Sequence, residues 1–169
     1  WLWLSNKVYE DLGIPVPTNW NEFVATADQV RAAGKVPLAL GDQPWQSNLA
    51  FGAMQIAVAG LDAWKAVNVD KNMDVAAGPE YAKVFEAAAA ARELAKGSAV
   101  QDWNQATNLV ITDMAAGQIM GDWAQGEFQV AGKVAGKDYT CLPGLGVNKF
   151  LSTGGDAFYF PLNSDPEIT

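Results

Sequence analysis

Short unbroken apolar runs alternate along this chain with stretches whose apolar residues recur every three to four positions, and the changes between the two mark out the elements. Residues Trp1 to Leu4 form an apolar run that predicts a strand, followed by a short helix from Lys7 to Leu12 stopped by Gly13. Pro15 and Pro17 make a rigid connection. Asn19 with Glu22 three residues on has the spacing of a capping box, and Trp20, Phe23, Val24, Ala27 and Val30 then mark one face of a helix ending at Gly34. Val36 to Leu40 predicts a short buried strand. The segment from about Ser47 to Ala59 is apolar nearly all round, which predicts a buried helix.

Asp62 to Asp74 lacks a clear period. Pro79 and Glu80 open another helix, with Tyr81, Val84, Phe85 and Ala88 as its inner stripe and Lys96-Gly97 as its stop. Asp102 or Asn104 starts a fourth long helix that runs to about Ala115, ahead of Gly117. The run Gln118-Ile119-Met120 is a short strand, a turn comes at Gly121, and a short helix reaches Ala131. Tyr139 to Leu142 and Asp156 to Phe160 are the last two predicted strands, with a Gly-rich stretch at 144–155 between them as the one plausible boundary. Helices separated by short apolar strands predict an α/β layer architecture.

Both ends read as internal to a longer chain. There is no initiator Met or charged leader before Trp1, and Ser164-Asp165-Pro166-Glu167 announces a helix that the remaining residues do not supply.

Composition narrows the chemistry. Half of the 169 residues are hydrophobic and 18% are charged, a globular balance with room for one sizeable core. The net charge is −8 and the basic residues form no cluster, which disfavours a nucleic-acid partner. With no histidine and one cysteine, imidazole or thiolate metal sites and His-dependent hydrolysis are set aside; no cofactor is implied. Cys141 reads as a small buried hydrophobe, or as a residue whose partner lies outside this sequence.

The most informative segment is Gly121-Asp122-Trp123-Ala124-Gln125-Gly126-Glu127. It places a carboxylate and an indole on a strand-to-helix turn, where side chains are displayed. Sugars suit that pair, because their C–H face lies on an indole and their hydroxyls need acceptors. The plainer reading has Trp123 packed under the turn and Asp122 capping the next helix.

Four segments in order, Asn6-Lys7-Val8-Tyr9, Pro17-Thr18-Asn19-Trp20-Asn21-Glu22-Phe23, Leu40-Gly41-Asp42-Gln43-Pro44-Trp45 and Gly121-Asp122-Trp123, resemble the sugar-specific extracellular solute-binding proteins of bacterial ABC importers. Within that group the chain looks most like the glucose- or mannose-binding members, and it is more distantly similar to the maltose-binding proteins. No single segment is specific; the order and spacing carry the resemblance, which covers essentially the whole chain.

The resemblance implies one lobe of a periplasmic-binding-protein-like (type II) two-lobe fold, plus part of the crossover into the other lobe. It divides the chain into a ligand-binding lobe at 1–145 and, at 146–169, the return crossover with the first strand of the other lobe. It implies no catalysis, a small neutral sugar as ligand and membrane permease subunits as partners. The location would be periplasmic, or extracytoplasmic with a lipid anchor in a Gram-positive cell. Self-association of a truncated chain through a free strand is a further expectation.

By the same resemblance Trp123 is the stacking platform. Asp122 stands where the maltose group has Pro, as a hydroxyl acceptor or a cap. Gln43 and Trp45 fall where that group uses Glu and an aromatic on the ligand. Asp156 is an acceptor after the Gly-rich loop. Two departures from the family pattern are Pro143-Gly144-Leu145-Gly146 at the return crossover and Gly155, in place of Ser, before Asp156. Trp1 and Trp3 read as hinge-strand packing, and Trp20, Trp64 and Trp103 as structural residues near helix starts. A carbohydrate-active enzyme using Asp122 and Glu127, or a free-standing lectin-like module, are the alternatives.

Overall fold

In the computed structural model, which describes residues 1–159, the chain opens on strand β1 (Leu2–Ser5), all four residues of which are buried. The Ser5 side chain accepts from the N–H of Val8 and so caps helix α1 (Asn6–Leu12), which ends at Gly13 with φ 66°. Helix α2 (Trp20–Ala25) begins where the capping spacing placed it, with Asn19 Oδ1 accepting from the N–H of Glu22 at 3.0 Å. The reciprocal bond reaches one residue further back. Glu22 Oε2 accepts from the N–H and the hydroxyl of Thr18, at 2.7 and 2.9 Å, and these bonds hold the Glu22 carboxyl below its usual range.

The single helix expected up to Gly34 is two. Thr26 interrupts it, its hydroxyl donating to the carbonyl of Phe23 at 2.8 Å, and α3 (Ala27–Ala32) resumes beyond. Strand β2 (Val36–Ala39) leads to α4 (Pro44–Met54), a π-helical turn at Gln55–Ala59, and α5 (Gly60–Asn68), which occupies part of the stretch that lacked a period. Only Gln46, Ala50 and Met54 of α4 are buried; Leu49 and Phe51 are half-buried, so the expectation of a fully enclosed helix fails. Helix α6 (Met73–Ala76) precedes α7 (Pro79–Leu94). The inward stripe of α7 is Tyr81, Val84, Ala91 and Leu94. Phe85, one step round from Val84, is 57% exposed and meets the ring of Phe51 at 5.6 Å.

Helix α8 (Trp103–Ile111) stops four residues before the expected end, because strand β3 (Ala115–Ile119) begins there. Gly117 lies inside β3 and does not end a helix. A side chain at that position would meet the carbonyl of Trp3 at 2.8 Å and the ring of Phe23 at 2.9 Å. Helix α9 (Ala124–Val130) and strand β4 (Tyr139–Leu142) complete the order.

The four strands form one sheet in the order β2–β3–β1–β4. β2 runs parallel to β3, while β1 is antiparallel to both of its neighbours. Alternation along the strands then sorts side chains into two cores. Leu2, Leu4, Leu38 and Ile119 face the layer that holds Val8, Phe23, Met54 and Val84. Trp3 and Ala39 face the opposite layer, whose cluster also holds Ala106, Val110, Met120, Phe128 and Tyr139. The sheet is thus covered on both faces.

Trp3 anchors the second layer. Its ring stacks against Phe128 at 5.4 Å and lies 5.8 Å from Tyr139, and its Nε1 donates to the carbonyl of Met120 at 3.3 Å. Cys141 pairs with Trp3 across β1 and β4, and burial pushes its thiol up to about 12. A thiol in the unfolded chain titrates at about 8.5. The folded pKa lies above the unfolded one, so the thiol's effect on stability is constant below the unfolded value, and stability declines as pH rises from there towards about 12. Replacing Cys141 with Ser is expected to flatten that part of an alkaline denaturation profile, and an aromatic disulfide reagent should label Cys141 only slowly at pH 8 until denaturant is added.

After β4, Pro143–Gly146 forms a left-handed turn with Gly144 at φ 56° and Leu145 at φ 55°. Leu145 is nevertheless fully buried, in the same core as Leu4. Residues 147–159 contain no helix or strand, and Asn148 is tied back by its Nδ2, which donates to the carbonyl of Ile56 at 2.9 Å. The strand expected from Asp156 is absent as far as Tyr159, where every residue is exposed and no strand among the described residues pairs with the segment; Phe160 lies outside the described residues.

Candidate functional site at the carboxyl edge of the sheet

Because β2 and β3 are parallel, their carboxyl ends emerge at the same edge, with Leu38 opposite Gly117 and Ala39 opposite Gln118. The antiparallel β1 brings its start to that edge, Leu2 lying opposite both Ile119 and Leu142. The loop after β2 carries Gln43 and Trp45; the turn after β3 carries Asp122 and Trp123. Four of the five sequence candidates therefore share the edge where open α/β sheets receive ligands. Asp156 lies on neither loop but in the exposed segment beyond β4.

The turn after β3 is built on burial below and exposure above. Met120 and Ala124 are fully buried, while Trp123 between them is 50% exposed. Its six-membered ring folds back over Gly121, so closely that a Cβ there would overlap the ring. One face of the indole is thus backed by main chain and much of the rest is open to solvent. Trp123 occupies the N-cap position of α9, and Asp122 makes no side-chain hydrogen bond among the described residues. The capping role considered for Asp122 is not the one it adopts. Its exposed carboxylate keeps its acceptor sites.

The loop after β2 is held more tightly. The buried Gln46 accepts from the N–H of Gly41 at 3.1 Å and donates to the carbonyl of Gln101 at 3.0 Å, while the N–H of Asp42 points to the carbonyls of Val100 and Gln101. Trp45 is 41% exposed, and its Nε1 donates to Gln43 Oε1. Gln43 Nε2 donates to Asp102 Oδ1 at 2.7 Å. Asp102 was legible only as the start of α8, where its N–H is bonded to Gln105 Oε1; nothing in the sequence linked it to Gln43.

A recess of about 570 Å3 opens beside this loop, between α4 and α7, lined among others by Asp42, Ser47, Phe51, Arg92 and Ser98. It includes neither exposed indole, so the edge and the recess are neighbouring features and not one cavity. Of the remaining tryptophans, Trp20 is buried, and Trp64 and Trp103 are half-buried on helices, consistent with structural roles.

A mixed sheet with helices on both faces, displaying two half-exposed indoles and an unpaired carboxylate at its carboxyl edge, is a lobe of the periplasmic-binding-protein type. Residues 1–166 match the family model of the bacterial extracellular solute-binding proteins, and the chain belongs to that family. It is 33% identical over 159 residues to a probable sugar-binding periplasmic protein of Brucella suis biovar 1 (strain 1330), a match covering 94% of this chain and 38% of that one. A protein of the same description from Mesorhizobium japonicum is 34% identical over 166 residues, covering 98% of this chain and 38% of its own. The chain thus spans 38% of the length of these relatives.

Among solved structures, a chitin oligosaccharide binding protein superposes with a TM-score of 0.60 at 19% identity, covering 75% of this chain and 33% of its own. The bacterial solute receptor AcbH, described as having an exclusive substrate preference for β-D-galactopyranose, does so with a TM-score of 0.58 at 22% identity, covering 75% and 32%. At these identities the two structures speak for the fold alone.

Proposed function

We propose that the protein is the sugar-binding receptor of a bacterial ABC importer, working outside the cytoplasm. In this reading the lobe closes with a second lobe on a small neutral sugar and presents it to membrane permease subunits. Residues 1–145 are the ligand-binding lobe and 146–169 the return crossover with the first strand of the other lobe; Leu145 as the last buried core residue among the described residues supports that division. The sugar is a monosaccharide of the glucose or mannose type.

The observation that carries the reading is Trp123: an indole with one face set on Gly121, half its surface open, beside an exposed and unbonded Asp122. That is a stacking face with a hydroxyl acceptor at its rim. The relatives' description as sugar-binding agrees with it. Trp45, Gln43 and Asp156 are the further candidates for ligand contact, Gln43 retaining one amide N–H and one lone pair beyond its two internal bonds.

The test is a titration of the full-length receptor with D-glucose, D-mannose and D-galactose, monitored by tryptophan fluorescence. Trp123→Ala is expected to weaken binding by on the order of 1–2 kcal/mol, roughly 5- to 30-fold, from the loss of the buried apolar contact. Unchanged affinity would remove Trp123 from the site. Hydrolysis of nitrophenyl glycosides by the same protein would favour the enzyme alternative.

A further inference from the structure

Three side chains beside the sheet edge form a directed hydrogen-bond chain: Trp45 Nε1–H to Gln43 Oε1, then Gln43 Nε2–H to Asp102 Oδ1 at 2.7 Å. The ends of this chain fix the orientation of its middle. An indole nitrogen only donates and a carboxylate only accepts. A flipped Gln43 amide would turn its oxygen towards Asp102 and its N–H towards the indole N–H, two repulsive contacts in place of two bonds. The geometry points to Asp102 as a positioning residue that sets the direction of the Trp45 ring through Gln43.

The surroundings leave this as the degree of freedom that still needs control. The main chain of the loop is already held by the segment 98–102. Ser98 Oγ donates to the carbonyl of Leu40 at 2.8 Å and accepts from its N–H at 2.9 Å, while Gln46 and the N–H of Asp42 are bonded to the carbonyls of that same segment. These main-chain bonds do not restrict rotation of Trp45 about its own side-chain bonds, and the residue is 41% exposed, so its side-chain bond to Gln43 is the restraint left to orient the ring. An ionised acceptor makes the outer bond of the chain the stronger of the two, so the amide is set from the Asp102 side. The ring then presents the same face to every ligand that approaches, without being reordered on binding.

That consequence for ligand binding rests on the proposed reading of Trp45 as a sugar contact; the positioning itself does not. Asp102 also occupies the N-cap position of α8, so its removal alone does not separate the two roles. Two variants do. Asp102→Ser keeps a good capping side chain but is too short to reach Gln43. Asp102→Asn keeps both a cap and an acceptor oxygen at the same reach.

The readout is the indole N–H resonance of Trp45 in a 1H–15N spectrum of the 169-residue chain without ligand, assigned as the signal missing from Trp45→Phe. In Asp102→Ser this resonance is expected to move upfield and its proton to exchange faster with water, while in Asp102→Asn it stays near its original position. An unmoved resonance in Asp102→Ser, or an equal displacement in both variants, would overturn the inference. In the full-length receptor titrated with D-glucose, Asp102→Ser should then bind several-fold more weakly than Asp102→Asn. Equal glucose affinities alongside a displaced indole signal would leave Asp102 as the positioning residue and remove Trp45 from the sugar site.

Discussion

The 169-residue chain by itself is expected to bind a neutral sugar only at millimolar concentration or weaker, although the full-length receptor of the proposed function would bind it at micromolar concentration. In that reading the sugar is enclosed between two lobes and owes its affinity to hydrogen bonds from both, together with the expulsion of water. Losing roughly three charge-assisted bonds at about 1.5–3 kcal/mol each removes on the order of 5–9 kcal/mol. A micromolar ligand has only about 8 kcal/mol of binding free energy. Stacking on Trp123 would survive, so a weak fluorescence change at high sugar is compatible with the reading. Saturation at micromolar glucose, mannose or galactose by this chain alone would show that one lobe suffices, and would favour a lectin-like module.

Trp3→Ala should be the most damaging single truncation in the fold, lowering stability by about 3–5 kcal/mol. The reason lies in its surroundings. The cluster that Trp3 enters has four alanines, Ala39, Ala106, Ala115 and Ala124, among its ten buried residues, beside Val110, Ile111 and Met120, with Phe128 and Tyr139 as the rings packed on Trp3. Alanines have no side-chain length with which to fill a vacated indole volume, and their backbones are fixed in strands and helices. Phe128 and Tyr139, whose ring centres are 4.3 Å apart, would lose the surface they stack against. The carbonyl of Met120 would also lose its indole donor. Domains of this kind have about 5–15 kcal/mol in total, so the loss is a large fraction of the whole. Urea denaturation measures it; a cost below about 1 kcal/mol would mean that the layer collapses around the gap after all. Trp3→Phe, which keeps an aromatic ring in place, should recover much of the difference.

The elements read correctly from sequence are those whose signal is local. β1 and β4 are short apolar runs, α1 is closed by its glycine, and α2 starts at an Asn with a Glu three residues on. The misreadings arise where a neighbour decides. Thr26 breaks a helix by bonding its own preceding turn, which periodicity does not register. Gly117 looked like punctuation and is instead the point where the carbonyl of Trp3 and the ring of Phe23 approach the strand most closely. Phe85 fitted an apolar stripe but lies one step outside the seam that α7 presents, and it finds only Phe51.

The candidate site divides the same way. Asp122 and Trp123 were legible from their strand-to-helix turn, Gln43 and Trp45 only through the family resemblance; parallel β2 and β3 then deliver the loops that follow them to one edge. Asp102 was not, since its bond to Gln43 spans 59 residues. No pattern within a helix start announces a partner that far away.

The π-helical turn at Gln55–Ala59 has a mechanical consequence. The carbonyl of Ile56 within it accepts from the N–H of Gly60, which closes the turn, and also from Asn148 Nδ2 at 2.9 Å. Together with Leu145, sunk in the core through a left-handed turn, this fastens the outgoing chain to the body of the lobe at two posts rather than one. Twisting the chain ahead of Asn148 would have to drag out a buried leucine and break that bond. Under the proposed lobe closure, any swing of the residues beyond would therefore begin past position 148, where the last of these two ties lies.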